Sequence, residues 1–323
     1  PLLTREFATR GLSVGASAAW LYAFNTLGAA CGAWLAGFVL LEAFGLVWTN
    51  VLAAALNTLV GIGALLLARE RNDAPEAEAE LPETLERVAP RAVAAVAFAA
   101  GAASIALQML WAREISLLVG ATTYAFSATI FVFILGLGLG SLWFRLAFAN
   151  ARRLEPVIAL AATLVVLPAL AGLALRGEIG LIVGHLQDMR HDGTLNAVLC
   201  STVGAALEFL PTVGMGLLFP ALVQFARQGS GRAGRVVGGI YAWNTLGSIV
   251  GAGATGLALV PMLGSFWSFR AALLVYALTP IVLLGARKTG RGPQVRVGLA
   301  GPGRCAGRAP RARRGASAGR GRA

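Results

Sequence analysis

Charged side chains are scarce in this sequence. Asp, Glu, Lys and Arg together make up 13% of the 323 residues, whereas 57% are hydrophobic and the mean hydropathy is +0.72. A soluble globular domain carries about 25% charged residues, so this composition excludes that class. The sequence therefore predicts an all-α integral membrane protein whose first partner is the lipid bilayer.

Cysteine and histidine are also rare. The three cysteines lie far apart with no CxxC spacing, which predicts neither a disulfide framework nor a zinc site. Both histidines fall in GHLQDMRHDG (184–193), where His185, Asp188 and Asp192 would share one helix face. We interpret this segment as a solvated outer loop rather than a metal site, because no further ligands are nearby. We expect no metal, no cofactor and no catalytic residue.

The positive charge is confined to one end of the chain. Residues 287–323 hold eleven basic residues and no acid. The other 286 residues therefore carry a net charge of only +1, out of a total of +12. This tail of mostly Arg, Gly, Ala and Pro is predicted to be disordered. Its charge can bind anionic lipid headgroups, and a frame error in GC-rich DNA is the alternative origin. Because the remainder is nearly neutral, nucleic acid is not predicted as a partner.

Eight apolar segments are long enough to cross a bilayer, which takes about 20 helical residues. They cover residues 19–41, 44–68, 92–112, 124–148, 156–175, 195–219, 236–260 and 264–286. An acidic, proline-containing segment at 71–91 is predicted to be a flexible cytoplasmic linker between the first two and the last six. With the N-terminus inside, 23 basic residues fall in inner segments and three in outer ones, so both termini are predicted to be cytoplasmic.

One apolar segment occurs twice. LYAFNTLGAACGAWLAGF (21–38) and IYAWNTLGSIVGAGATGL (240–257) are identical at nine of eighteen positions, 219 residues apart. An offset of six spans makes the copies parallel, as between the halves of major-facilitator transporters. Residues 1–70 are therefore predicted to be the last two helices of a first repeat half, and residues 92–286 a six-helix second half. This predicts a truncated, eight-helix piece of a twelve-helix bundle.

Polar residues inside the predicted spans are the candidates for a solute pathway. An unpaired amide in hydrocarbon is costly, so each asparagine is expected to face the bundle interior. A carboxylate at the bilayer centre costs on the order of 3 kcal/mol, which makes Glu208 the sharpest candidate. Interhelical hydrogen bonding is the alternative role. The candidates are Tyr22, Asn25, Thr26, Gln108, Arg113, Glu208, Tyr241, Asn244 and Thr245.

Glycines spaced four apart lie on one helix face and allow a neighbouring helix to approach closely. GLGLGS at 136–141 lies inside an apolar span without the preceding strand of a dinucleotide site, so it too is interpreted as a packing motif. In WARE (111–114), Trp111 is interpreted as an interface anchor and Arg113 as a snorkelling side chain. The predicted packing glycines are Gly28, Gly32, Gly136, Gly138, Gly140, Gly247 and Gly251.

Three longer segments contain distinctive motifs. They are residues 106–141 with W-x-R and GLGLGS, residues 211–223 with PTxxMGxxFP, and residues 237–264 with YAxNTxGxxxG. Together they resemble the membrane part of fused major-facilitator/spermidine-synthase-like proteins of bacteria. Gln108 stands where that family commonly has a Glu, which puts a proton-coupled role of this helix in doubt.

The resemblance implies a transporter-like, multi-pass module of the bacterial inner membrane. It also implies a link to polyamine or other cationic metabolites and a cytoplasmic spermidine-synthase-like domain as partner. No such domain is expected within these 323 residues. The alternative is therefore a protein named spermidine synthase, a polyamine aminopropyltransferase, whose catalytic domain has been lost.

Overall fold

The computed structural model describes residues 14–69, 91–188, 193–227 and 233–289, and almost all of them are helical. The α-helices are α1 Val14–Leu35, α2 Leu41–Arg69, α3 Arg91–Val119, α4 Thr123–Trp143, α5 Glu155–Asp188, α6 Gly193–Arg227, α7 Ala233–Ala254 and α8 Val260–Thr289. Three π-helical turns, Ala36–Leu40, Phe144–Phe148 and Thr255–Leu259, continue α1, α4 and α7. The predicted linker and nearly all of the predicted tail lie outside the described residues.

Six helical segments in the described part of the chain are long and apolar enough to cross a membrane. This confirms the prediction of an all-helical, multi-pass type of protein. Two of the six, Ala23–Leu66 and Val237–Gly285, are 44 and 49 residues long. At a rise of about 1.5 Å per residue, either would be roughly twice as long as the bilayer core if it were straight. The count of eight spans, and the side on which the termini lie, stay predictions.

A glycine breaks the helix inside each of these two long segments. Gly45 has φ +69° and ψ 178°, and Gly264 has φ +72° and ψ 169°. This backbone region is essentially restricted to glycine. Thr49 Oγ1 donates to the Gly45 carbonyl at 2.8 Å, and Ser268 Oγ donates to the Gly264 carbonyl at 2.7 Å. Both breaks fall slightly after the gaps predicted between the corresponding spans.

The repeat in the sequence is matched by a repeat in secondary structure. Adding 219 to the bounds of α1, of its π-helical turn and of the start of α2 gives those of α7, its turn and the start of α8. The same offset relates the glycine breaks and their hydroxyl caps. The repeated unit is therefore a helix, a π-helical turn and a broken second helix, which is longer than the eighteen residues of obvious identity.

The core of the bundle lies among α3 to α8. The most extensive contacts join α4 to α6, α3 to α7 and α5 to α6, and α8 packs on α3 and α5. In contrast, α1 packs mainly on α4, and within the described residues α2 makes extensive contacts only with the π-helical turn before it. A hydrogen bond of 3.2 Å from Tyr124 to Glu42 joins α4 to the first turn of α2. Beyond that turn, most side chains of α2 are exposed.

Helix α5 is longer than its predicted span of 156–175 because its apolar face continues. Ile179 packs against the core and Val183 is buried in it. His185 therefore lies on the helix, where its ring nitrogen is 3.0 Å from the Leu181 carbonyl, and the helix ends at Asp188. The predicted outer loop thus begins later than expected, and the remainder of that segment lies outside the described residues up to Gly193.

Candidate functional site

A cavity of about 170 Å³ lies among α3, α4, α6, α7 and α8, and we call it the polar cavity. An apolar cavity of about 150 Å³ accepts benzene, so this volume suits a small organic solute. Its lining is mostly apolar with a few hydrogen-bonding groups. The lining residues are Ala100, Ser104, Ile105, Phe133, Leu137, Met215, Leu218, Phe219, Leu222, Asn244, Ser248 and Tyr276.

The main polar feature of this cavity is a pair of hydroxyl groups. Ser104 Oγ and Tyr276 Oη are 2.8 Å apart. Tyr276 Oη is 3.2 Å from the Ala100 carbonyl, and Ser104 Oγ is 3.3 Å from the Met215 sulfur. The two hydroxyl protons can serve only two of these three contacts at a time. The pair can therefore rearrange and accept a hydrogen bond from a solute.

Helix α7 supplies the second polar group of the cavity. Ser248 Oγ is 3.0 Å from the Asn244 carbonyl and 3.3 Å from the Gly101 carbonyl. A side chain at Gly101 would collide with the backbone of Asn244. The glycine thus lets α3 and α7 approach until Asn244 and Ser248 reach the cavity. Asn244 was predicted as a candidate residue, and the structure places it in the lining.

The two other predicted residues of α7 lie on its outer side. Tyr241 and Thr245 are exposed. The Tyr241 ring meets the Phe219 ring edge to face at 4.9 Å between centroids, and Phe219 lines the polar cavity. Tyr241 therefore touches a wall of the cavity from outside, whereas Thr245 is not among the lining residues.

The first copy of the repeat places its polar residues differently. Thr26 is buried, whereas Asn25 is exposed. The expectation that both asparagines face the bundle interior is therefore wrong for Asn25 in the described part of the chain, because no described helix covers that side of α1. The side chain of Tyr22 lies outside the described residues.

Glu208 is fully buried in α6, and neither of its carboxyl oxygens has a hydrogen-bond partner. A methyl group added at Gly204 would lie 3.6 Å from Oε1 of Glu208, 3.7 Å from Val132 and 3.8 Å from Ile115. The carboxyl group thus shares a small space over Gly204 with apolar side chains of α3 and α4. Among the buried side chains in the described part of the protein, Glu208 has the most polar atoms without a hydrogen-bond partner.

The remaining predicted residues lie on α3. Gln108 is half-buried and Arg113 is exposed. Trp111 is 3% exposed, and its ring centroid is 6.1 Å from that of Phe269 on α8. The interpretation of Trp111 as an interface anchor is therefore wrong, because the ring fills the contact between α3 and α8.

Five of the seven predicted packing glycines lie against another helix. Gly136 and Gly140 lie against α6, Gly138 against Leu27 of α1, and Gly247 and Gly251 against the α3 backbone. A Cβ atom added at Gly28 or Gly32, in contrast, would meet nothing within 4 Å. The predicted close packing is therefore not found at these two positions, because no described helix lies over them.

Three residues of the polar cavity were not predicted from the sequence, and each of them carries a hydroxyl group. Ser104, Ser248 and Tyr276 stand alone in apolar spans without a motif. The available signal was weak: Ser248 lies one helical turn after Asn244, on the same face. Ser104 and Tyr276 are 172 residues apart, so only the tertiary fold brings them together.

Comparison with known proteins adds no assignment. No protein-family model matches the chain, and no curated protein or solved structure matches it significantly. Within the described residues, no group of His, Cys, Asp or Glu side chains is placed to hold a metal ion. Functional reasoning therefore starts from the polar cavity and from Glu208.

Proposed function

We propose that the chain is a transporter-like membrane module that binds a small, uncharged or weakly polar solute in the polar cavity. The observation that carries this proposal is the hydroxyl pair of Ser104 and Tyr276, which lies in a mostly apolar cavity within the helical bundle. Small-molecule sites have this composition: apolar walls for affinity and a few polar groups for orientation.

The charge of the lining distinguishes between solute classes. None of the lining residues is ionisable apart from Tyr276. A polyamine would lose the hydration of its ammonium groups there and find no carboxylate in exchange. A neutral solute would lose less and could use the free hydroxyl acceptor. We therefore favour a neutral solute over the polyamine that the family resemblance implies, and both are tested below.

The setting of this module belongs to the same proposal. The parallel repeat, eight spans and cytoplasmic termini are consistent with a major-facilitator-type arrangement in the bacterial inner membrane. A cytoplasmic spermidine-synthase-like partner domain is supported by the sequence resemblance alone. The matching helix, π-helical turn and glycine break of the two copies support the repeat.

The test is water access to the polar cavity. A Ser248→Cys variant is made in a background in which Cys31, Cys200 and Cys305 are replaced by Ser or Ala. It is reconstituted in liposomes and treated with a charged, membrane-impermeant thiosulfonate from either side. Ile249→Cys is the matched control, because Ile249 is the next residue and is 66% exposed on the outer side of the bundle.

We expect the Ser248→Cys variant to react and the Ile249→Cys variant to stay unmodified in lipid. A panel of small neutral solutes should then protect the thiol of the Ser248→Cys variant from the reagent, and spermidine should not. Protection by spermidine alone would move the proposal to a polyamine. Equal, slow labelling of both variants in a folded protein would refute a solute cavity.

A further inference from the structure

We propose that Glu208 is a proton-binding site in the core of the bundle, which exchanges its proton through the side of the bundle that holds Glu114 and Arg176. The inference rests on the proposed function only in linking this proton to solute movement. On α6, Glu208 lies two helical turns, about 10 Å, before Met215 and on the same face. Met215 lines the polar cavity, so the carboxyl group lies beyond one end of that cavity.

The absence of partners identifies the ligand as a proton. Both carboxyl oxygens are unpaired, and the neighbours over Gly204 are the apolar ends of Val132 and Ile115. A metal cation needs several oxygen or nitrogen ligands, which the described surroundings of Glu208 do not offer. A single carboxyl group can hold a proton without further ligands, and the neutral acid is the form that an apolar core tolerates.

No described side chain supplies a counter-charge in contact with Glu208. Helix α4 contains no charged residue, and the only one of α7 is Arg235 at its start. Arg145 follows α4 thirteen residues after Val132, which is about 20 Å along a helix. Glu114 of α3 is next to Ile115 and pairs with Arg176 of α5 at 3.5 Å, and Arg270 of α8 lies over the Phe266 ring at 3.8 Å.

The route that we propose for the proton passes this ion pair. Glu114 and Arg176 line an open cavity of about 530 Å³ at the bundle surface and also a second cavity of about 20 Å³. The small cavity has room for about one water molecule, and its lining is almost entirely apolar. It is also lined by Leu207, the residue before Glu208. Cavity space therefore extends from the open surface cavity to the residue before Glu208 on α6.

A change in protonation would act on the shape of α6. Transfer of the proton from the Glu208 carboxyl oxygen to water leaves a carboxylate in an apolar core, with no other bond changed. Pro211 lies three residues later and removes one backbone donor from the helix, so α6 can bend at this point. Bending that opens the polar cavity towards Glu208 would hydrate the carboxylate and couple proton release to solute exchange.

The site is tested with dicyclohexylcarbodiimide, an apolar reagent to which protonated carboxyl groups within membranes add, forming a stable N-acylurea. The whole chain in liposomes is treated at neutral pH, digested and analysed by mass spectrometry. We expect the peptide containing Glu208 to carry the label and the Glu208→Gln variant to lose it completely. Exposed Glu178 on α5 is the internal control and should stay unlabelled. A folded protein without label at Glu208 would overturn the proton site.

The route is tested by infrared spectroscopy of the protonated carboxyl band that the Glu208→Gln variant lacks. On transfer to heavy water, Glu114→Gln should slow the deuterium shift of this band at least tenfold, whereas Glu178→Gln should leave its rate unchanged. An unchanged rate in Glu114→Gln would overturn the proposed route. If Ser248→Cys shows no solute protection while Glu208 is labelled, the solute site fails and the proton site stands.

Discussion

The two copies of the repeat fold alike and pack differently. Helices α1 and α7 have equal lengths, end in π-helical turns at equivalent positions and lead to glycine breaks at equivalent positions. Yet α7 packs on α3 and leads to the well-packed α8, whereas α1 packs on α4 and leads to the largely exposed α2. Local sequence therefore determines the shape of the unit, and its neighbours determine which surface is buried.

The buried faces of the two copies are opposite to each other. The buried residues are Ala23, Thr26, Ala30 and Gly37 in the first copy and Ile240, Gly247, Gly251 and Thr255 in the second. At about 100° per residue, and after subtraction of the repeat offset, these faces lie about 180° apart on the helix. Each copy thus exposes the face that the other copy buries. The glycines that pack against α3 in the second copy, Gly247 and Gly251, have counterparts in the first copy, Gly28 and Gly32, which are exposed.

The largest expected difference in stability between the copies follows substitution of two equivalent glycines, Gly28 and Gly247. Gly247→Leu places a side chain into the backbone of Phe98 on α3, and we expect it to destabilise the protein by about 3 kcal/mol or to prevent folding. At the equivalent Gly28, which is exposed, an added Cβ atom meets no neighbour within 4 Å, so Gly28→Leu should change stability by less than about 0.5 kcal/mol. Unfolding in a mixed detergent series measures both.

Gly253→Ala, at a site on α7 with no neighbour within 4 Å, controls for helix propensity in this experiment. Equal damage from Gly28→Leu and Gly247→Leu would contradict the comparison, since it would mean that the open face of α1 is covered in the folded protein. Near-neutral behaviour of both would instead show that the contact between α3 and α7 is looser than described.

We expect substitutions at the two glycine breaks to reveal a smaller difference in stability between the copies. Gly264→Ala and Gly45→Ala introduce the same backbone strain, about 1–3 kcal/mol. In α8 the strain cannot relax, because Phe269 and Tyr276 fix the helix in the core. In α2 the helix beyond the break can reorient, so the effect on global unfolding should fall below about 1 kcal/mol.

Gly285→Ala and Gly61→Ala control for the added methyl group, because both sites have open space and no positive φ. The comparison predicts a loss of melting temperature that is clearly larger for Gly264→Ala than for Gly45→Ala. The reverse order would show that α2 is held more firmly than its exposed side chains indicate.

The sequence was sufficient for features that depend on local chemistry. The helical class followed from the long apolar segments, and the repeat was visible in the identities around Asn25 and Asn244. The GxxxG pair, however, looks the same in both copies, and the sequence does not say which pair has a helix beside it. Packing at Gly247 depends on α3, which is far away in the chain.

The candidate site was harder to predict for the same reason. Asn244 was found through the repeat and Glu208 through its charge, since each stands out within its own span. Ser104 and Tyr276 become a site only when α3 and α8 pack together. Trp111 was misinterpreted because an aromatic residue near a span end is a common interface anchor, and only the position of Phe269 shows that it is core.

The smallest expected effect is that of removing the hydroxyl group that caps each helix break, and it should be equal in the two copies. Thr49 and Ser268 cap the broken carbonyls of Gly45 and Gly264 with hydrogen bonds of 2.8 and 2.7 Å. Such a bond contributes about 0.6 kcal/mol in membrane proteins, so Thr49→Ala and Ser268→Ala should each speed amide hydrogen exchange beside the break about threefold. Thr58→Ala removes a similar bond from the continuous part of α2, after the break, and controls for helix fraying. A response at only one break would show that the caps serve different purposes, and the structural equivalence of the copies would end at the π-helical turns.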